Sequence, residues 1–247
     1  MAELSVSAES WPIRGSFRIS RGAKTSADTL RVELHQGGFQ GRGECVPYAR
    51  YGESLDSVTG QIESVRQDIR NGMDRLQLQQ QLPPGAARNA LDCAFWDLQA
   101  KMSRRGVCEL LALPRMQALT TAYTLSLDSP ANMHRAALEH ADRPLLKLKL
   151  AGEGDIERVR AVRQGAPAAR LIVDANEAWD VGSYRAMLPE LMQLGVEMIE
   201  QPLPAAQDQA RRSLDRPIPI CADESCHASG SVAHIVGRYD SVCLKLD

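Results

Sequence analysis

The stretch LLKLKL, residues 145–150, sets two lysines one residue apart in a run of leucine. Side chains on a strand alternate between faces, so Lys147 and Lys149 share one side while Leu146, Leu148 and Leu150 share the other. Taken alone, this is the pattern of an amphipathic edge strand with its lysines in water, because lysine is seldom buried without a partner. The neighbouring sequence overturns that reading.

From residue 120 onward, short apolar runs alternate with helical spacing. The runs are TAYTLSL, LLKLKL, RLIVDAN, VEMIEQP, IPICADES and SVCLKLD. Between them, apolar residues recur at three and four residues, as in Ile156, Val159 and Val162, then Tyr184, Met187, Leu188 and Leu191, then Val232, Ile235 and Val236. Pro189 weakens the middle of the second segment. Six strand–helix units of this kind predict a parallel sheet, either open or closed as a barrel. No glycine-rich phosphate loop follows any strand, which favours the barrel over a nucleotide-binding open sheet.

Upstream, residues 29–35 alternate as a strand, Gly37 and Gly38 offer a tight turn, and residues 55–69 and 86–101 carry helical spacing. A small α+β domain over residues 1–117, followed by an α/β barrel domain over 118–247, is the expected organisation. The sequence stops at Asp247, after the sixth strand, whereas an eightfold ring needs two more units; the expectation is therefore a barrel incomplete at its C-terminus.

One charged residue falls near the end of each of five successive strands: Lys149, Asp174, Glu200, Asp223 and Lys245, at intervals of 25, 26, 23 and 22 residues. The C-terminal ends of barrel strands surround one site, so these side chains converge. Asp174 alone could be a helix cap. Gln201-Pro202 ends the strand directly after Glu200 and leaves that carboxylate at the rim. Glu224, next to Asp223, should diverge from it and support the site rather than bind an ion. Three carboxylates without a histidine make a hard-oxygen centre suited to Mg2+ or Mn2+. In an eightfold ring the second and sixth strands face each other, which puts Lys149 and Lys245 on opposite sides of a bound substrate. Such a site suits removal of a proton from a carbon beside a carboxylate, with Lys147 binding a carboxylate oxygen.

Composition removes other classes. The 247 residues carry 29 basic and 31 acidic side chains, a net charge of -2, with no basic track for nucleic acid. No stretch approaches the roughly 18 apolar residues of a membrane span, and the amino terminus lacks a signal-peptide pattern, so a cytoplasmic protein is expected. Six scattered cysteines read as reduced thiols, and five histidines form no zinc pattern, which leaves any metal on oxygen ligands.

These residues resemble the enolase superfamily, in the branch containing muconate lactonising enzyme and the dipeptide epimerases. The resemblance is carried by Lys147-x-Lys149, Asp174-x-Asn176, Glu200-Gln201-Pro202, Asp223-Glu224-Ser225 and Lys245-x-Asp247, and by residues 41–53 and 87–101. It implies an α+β capping domain on a modified (β/α) TIM-type barrel, with a Lys base and magnesium as in that superfamily. By the same resemblance Asp174, Glu200 and Asp223 are metal ligands, Lys149 and Lys245 the acid/base pair, and Asn176, Glu224 and Asp247 supports. Residues 17–21, with Arg18, and residues 48–51, with Tyr48 and Tyr51, would be mobile loops that close on a carboxylate substrate. The implied activity is epimerisation of an Ala-Glu type dipeptide through an enediolate. The alternatives are an N-acylamino-acid racemase acting on N-acetylglutamate, an o-succinylbenzoate synthase or dehydratase, a Schiff-base aldolase, and an inactive barrel fragment. Members of the family often form homo-oligomers.

Overall fold

The structure is a computed structural model that describes residues 1–245. Its chain divides into two compact units, one comprising Met1–Ile13, Ser26–Ala118 and Lys245–Asp247, the other Arg14–Thr25 and Leu119–Leu244. Among the described residues no helix is long and apolar enough to cross a membrane. None of the six cysteines forms a disulfide.

A three-stranded sheet, β1 (Glu3–Ile19), β2 (Gly22–Gln36) and β3 (Phe39–Cys45) in that order, lies in the first unit except for residues 14–25, which belong to the second. Gly37 and Gly38 turn the chain with φ of 58° and 80°, a conformation that disfavours any Cβ, and β2 and β3 then pair antiparallel. Along β2, Leu30, Val32 and Leu34 are buried, while Arg31 and Glu33 pair on the other face. Helices α1 (Leu55–Ser64), α2 (Arg66–Arg70), α3 (Arg75–Gln81), α4 (Ala86–Ser103) and α5 (Val107–Leu110) follow. The break between α1 and α2 splits the single helix expected over residues 55–69. Helix α4 packs its Ala87, Ala90, Leu91, Ala94 and Leu98 face into the core. The approach to β3 is so close that a Cβ on Gly43 would stand 1.9 Å from the Ala90 carbonyl oxygen.

The second unit carries six parallel strands in sequential order: β4 (Tyr123–Leu125), β5 (Leu145–Lys149), β6 (Arg170–Asp174), β7 (Val196–Glu200), β8 (Ile220–Ala222) and β9 (Ser241–Val242). Helices α6 (Pro130–Glu139), α7 (Asp155–Gly165) and α8 (Val181–Gln193) link the first four strands. A 3-10 segment, Ala205–Ser213, replaces an α-helix between β7 and β8, and α9 (Val232–Ile235) is a single turn before β9. Helix α8 runs through Pro189, held by its buried Tyr184, Leu188 and Leu191. Leu146, Leu148 and Leu150 are fully buried in one core with Val159, Val162 and Leu191, which turns the lysine face of β5 the other way.

Two departures from expectation concern the edges. Among the described residues of SVCLKLD, the strand covers Ser241–Val242 and pairs with β8, so Lys245 follows the strand instead of closing it. Residues 17–21 are not a free loop: they finish β1 and turn into β2, tied down by Leu127 N donating to the Arg18 carbonyl at 3.1 Å.

The Gly43 contact is directly testable. Gly43→Ala forces backbone of β3 and α4 apart and should destabilise the protein by about 1–3 kcal/mol, the usual cost of overpacking. Thermal unfolding checks this, and an unchanged Tm would contradict the close approach.

Candidate active site

Strand register assembles the charged residues. Lys149 lies opposite Asp174 across β5 and β6, and Asp174 opposite Glu200 across β6 and β7. The second pairing depends on a register shift between Leu171 and Ile172: Leu171 faces Val196, but Ile172 faces Met198. Without that extra residue Ile199 would stand opposite Asp174, because a one-residue slip exchanges the faces of a strand. Glu200 is opposite Cys221 on β8, which places Asp223 just beyond the strand end.

The side chains form one ion network. Lys149 Nζ donates to Asp174 Oδ2 at 2.5 Å, and Lys147 Nζ reaches the same oxygen at 3.0 Å and Glu200 Oε2 at 2.6 Å. Asp174 is wholly buried and Lys149 is 8% exposed, so neither lysine of β5 is a solvated surface charge. For Lys147, burial opposes the ammonium, yet Asp174 and Glu200 together hold its pKa above the ordinary value. Burial likewise opposes ionisation of Asp174, but the two lysines keep its carboxyl below the usual range. Glu200 is pushed up to about 7 by burial and then by the Asp174 charge, with Lys147 pulling the other way. The Phe17 ring lies 5.8 Å from Lys149 Nζ, within cation–π range.

Loops after the strands hold the network in strained backbone. Asn176, Glu177 and Gln201 have positive φ of 44°, 67° and 34°, which non-glycine residues adopt only where surroundings compel them. Asn176 N donates to Asp174 Oδ1 at 2.9 Å, and Asn176 Nδ2 to Glu224 Oε1 at 3.4 Å. Glu224, 8% exposed, also accepts from Arg21 at 2.7 Å. Arg21 further contacts the Asn176 carbonyl at 2.8 Å and Glu177 at 3.2 Å. Behind the loop that follows Lys149, buried Asp155 accepts from Gly152 N at 2.7 Å and from Trp179 Nε1 at 2.8 Å.

Sequence reasoning missed several of these parts. Gln201 was read only as a strand terminator, yet its Oε1 accepts from Asp223 N and Ser225 N, and its Nε2 donates to Leu203 O, Ser225 Oγ and Tyr239 OH. It thereby orients Asp223. Arg21, three residues beyond Arg18, makes the contacts to the strand-end loops, while the exposed Arg18 lies near Asp128. Lys245 is exposed and falls within the first unit, as do Tyr48 and Tyr51, whose rings stack at 5.9 Å. Asp247 lies outside the described residues.

The donor set fits a divalent cation. Asp174, Glu177, Glu200, Asp223 and Glu224 outnumber Lys147, Lys149 and Arg21, and buried Asn176 Oδ1 and Glu224 Oε2 have no hydrogen-bond partner. Donor atoms of Glu200, Asp223 and Cys243 lie within 4.8 Å of one another, whereas Asp174 is taken up by the lysines.

Glu200 sets a pH dependence for the metal-free protein. Its folded carboxyl keeps a proton up to about pH 7, while the unfolded group releases it near 4.5, so stability falls as pH rises between those values and then levels. The depressed Asp174 acts only below its ordinary 3.8, outside that window. Glu200→Gln should flatten the decline in urea-unfolding stability across the interval; an equal slope in both proteins would contradict the assignment.

Known proteins share this architecture. Residues 1–112 match the mandelate racemase / muconate lactonizing enzyme N-terminal domain, and residues 132–242 the enolase C-terminal domain-like family. The chain is 44% identical to the L-Ala-D/L-Glu epimerase of Escherichia coli over 249 residues, covering 100% of this chain and 78% of the relative. It is 44% identical over 211 residues to an N-acetyl-D-glutamate racemase of a Pseudoalteromonas species, covering 85% and 67%. An enolase family member from Agrobacterium tumefaciens with homology to dipeptide epimerases, solved with sodium and L-Ala-L-Glu, superposes with a TM-score of 0.96 at 45% identity, covering 100% and 76%. The dipeptide epimerase of Enterococcus faecalis, solved with Mg and L-Leu-L-Tyr, superposes with a TM-score of 0.90 at 28% identity, covering 99% and 74%. With both domain families matched and a close relative covered along most of its length, this chain belongs to the enolase superfamily, in its mandelate racemase / muconate lactonizing enzyme group.

Proposed function

We propose that this protein is a magnesium-dependent epimerase that abstracts the α-proton beside the carboxylate of an Ala-Glu type dipeptide. The observation that carries the reading is the row of Lys149, Asp174 and Glu200 at adjoining strand ends, with Asp223 beside it. Asp174, Glu200 and Asp223 would hold the ion, which would supply positive charge beside the substrate carboxylate.

The remaining work falls to the chain's own groups. Lys147, kept protonated by its carboxylate neighbours, binds a carboxylate oxygen of the substrate. Lys149 takes the α-proton on one face, and Lys245 returns a proton on the other, which inverts the carbon. The reading is supported by β5 and β9 standing second and sixth in the strand order. Asn176 and Glu224 hold the loops around Asp174 and Asp223. Residues 1–117 make up an α+β capping domain and residues 118–247 the barrel domain, and Arg18, Tyr48, Tyr51 and Asp247 keep the substrate-binding or supporting roles that the family resemblance implies. The absence of disulfides among the described residues fits a cytoplasmic setting.

The Pseudoalteromonas relative favours one second reading, racemisation of N-acetylglutamate on the same lysines. NMR of L-Ala-L-Glu and of N-acetyl-L-glutamate with the protein and magnesium separates the two. Conversion of L-Ala-L-Glu to L-Ala-D-Glu is expected, abolished by EDTA and reduced at least about 100-fold in Lys149→Ala. Preferred turnover of N-acetylglutamate would select the second reading, and conversion that survives EDTA would overturn both.

A further inference from the structure

We propose that Tyr239 is a positioning residue for the metal centre, whose hydroxyl, anchored by Asp208, locks the Gln201 amide that holds the backbone of Asp223. This rests on the reading of Asp223 as a metal ligand given above and extends that site to a buried relay behind it. Gln201 is fully buried, and Asp208 and Tyr239 are 3% and 8% exposed. Tyr239 lies between α9 and β9, while Asp208 comes from the 3-10 segment Ala205–Ser213, so the relay joins parts of the chain that share no strand pairing. Gln201 has a φ of 34°, a backbone conformation that persists only where contacts over-determine it.

Counting donors and acceptors gives the relay its direction. Gln201 Oε1 accepts from two backbone N–H groups, those of Asp223 at 2.9 Å and Ser225 at 3.1 Å, which turns Nε2 the other way. The two protons on Nε2 meet three acceptors: Leu203 O at 2.9 Å, Ser225 Oγ at 2.8 Å and Tyr239 OH at 3.0 Å. A carboxylate only accepts, so Asp208 Oδ2, 3.2 Å from the Tyr239 oxygen, takes the phenol proton and leaves that oxygen to accept from Gln201. Burial pushes the Tyr239 phenol up to about 12, which keeps the proton in place at neutral pH. Asp208 is held in turn by Arg238 at 2.7 Å. Removing the phenol oxygen takes one acceptor from Nε2 and frees the amide to turn away from Asp223 N. Tyr184 supplies a matched control: Arg211 stands 5.2 Å from both tyrosine rings, but Tyr184 OH donates to Asp215 O at 2.9 Å instead of meeting Gln201.

Mn2+ titration of the metal-free full chain, followed by electron paramagnetic resonance of the free ion, reads the centre without reference to turnover. Tyr239→Phe keeps the ring beside Arg211 and should weaken Mn2+ binding about tenfold, the usual scale for a group that orients a metal ligand, whereas Tyr184→Phe should leave it unchanged. The loss should vanish in a Gln201→Ala background, because Tyr239 acts only through that amide. Asp208→Asn keeps both rings and should weaken binding in the same direction, which guards against a folding defect in the phenylalanine variant. Unchanged affinity in Tyr239→Phe, an equal loss in Tyr184→Phe, or an equal loss with and without Gln201 would overturn the proposal. Magnesium-dependent epimerisation alongside unchanged Mn2+ affinity in Tyr239→Phe would refute the relay and leave the proposed reaction intact. The expected losses without epimerisation in the parent would support the relay and refute the reaction, and no Mn2+ binding by the parent would refute the metal centre and the relay together.

Discussion

The pairing of Lys147 and Lys149 with Asp174 and Glu200 is the constraint around which the second unit is arranged. Four ionisable groups withdrawn from water at adjoining strand ends are tolerable only if each has an opposite charge within hydrogen-bond reach. That requirement explains the register shift between Leu171 and Ile172, which brings Glu200 instead of Ile199 opposite Asp174. It also explains why β5 can bury three leucines against the helices and still present two lysines on its other face. Burial, and then the Asp174 charge, leave Glu200 with a raised pKa despite Lys147, so the compensation of its charge is partial. A divalent cation would complete it.

The loops that follow the strands hold this network in place through strain and hydrogen bonding. Asn176, Glu177 and Gln201 have positive φ, and each is held by specific bonds: Asn176 by Asp174 and Glu224, Glu177 by Arg21 and Ala205, Gln201 by Ser225, Tyr239 and Asp223. Arg21 brings the turn between β1 and β2 onto the loops carrying Glu177 and Glu224. A group meant to move a proton must sit within tenths of an ångström of its target, and such support supplies that precision.

Much of this was legible in the sequence, for identifiable reasons. The parallel strands β4 to β8 are apolar runs bounded by polar ends, and the near-constant interval between Lys149, Asp174, Glu200 and Asp223 reflects one strand plus one connection. Glycines 37 and 38 announced their turn because two consecutive residues with positive φ admit few alternatives. What was hidden depends on tertiary contact. The order of residues 17–21 comes from bonds to Leu127 and Asn176 far along the chain. Gln201 carries no motif; only the fold brings Asp223, Ser225 and Tyr239 around it.

The central claim is that Lys149 and Lys245 serve opposite faces of one carbon, and face-selective deuterium exchange tests it most directly. L-Ala-L-Glu and L-Ala-D-Glu are incubated separately in D2O with magnesium and with Lys149→Ala or Lys245→Ala, and loss of the glutamate α-proton is followed by NMR. The account predicts that each variant exchanges one epimer and not the other, with the two variants showing opposite preferences. Equal exchange of both epimers by either single variant would contradict a two-lysine site.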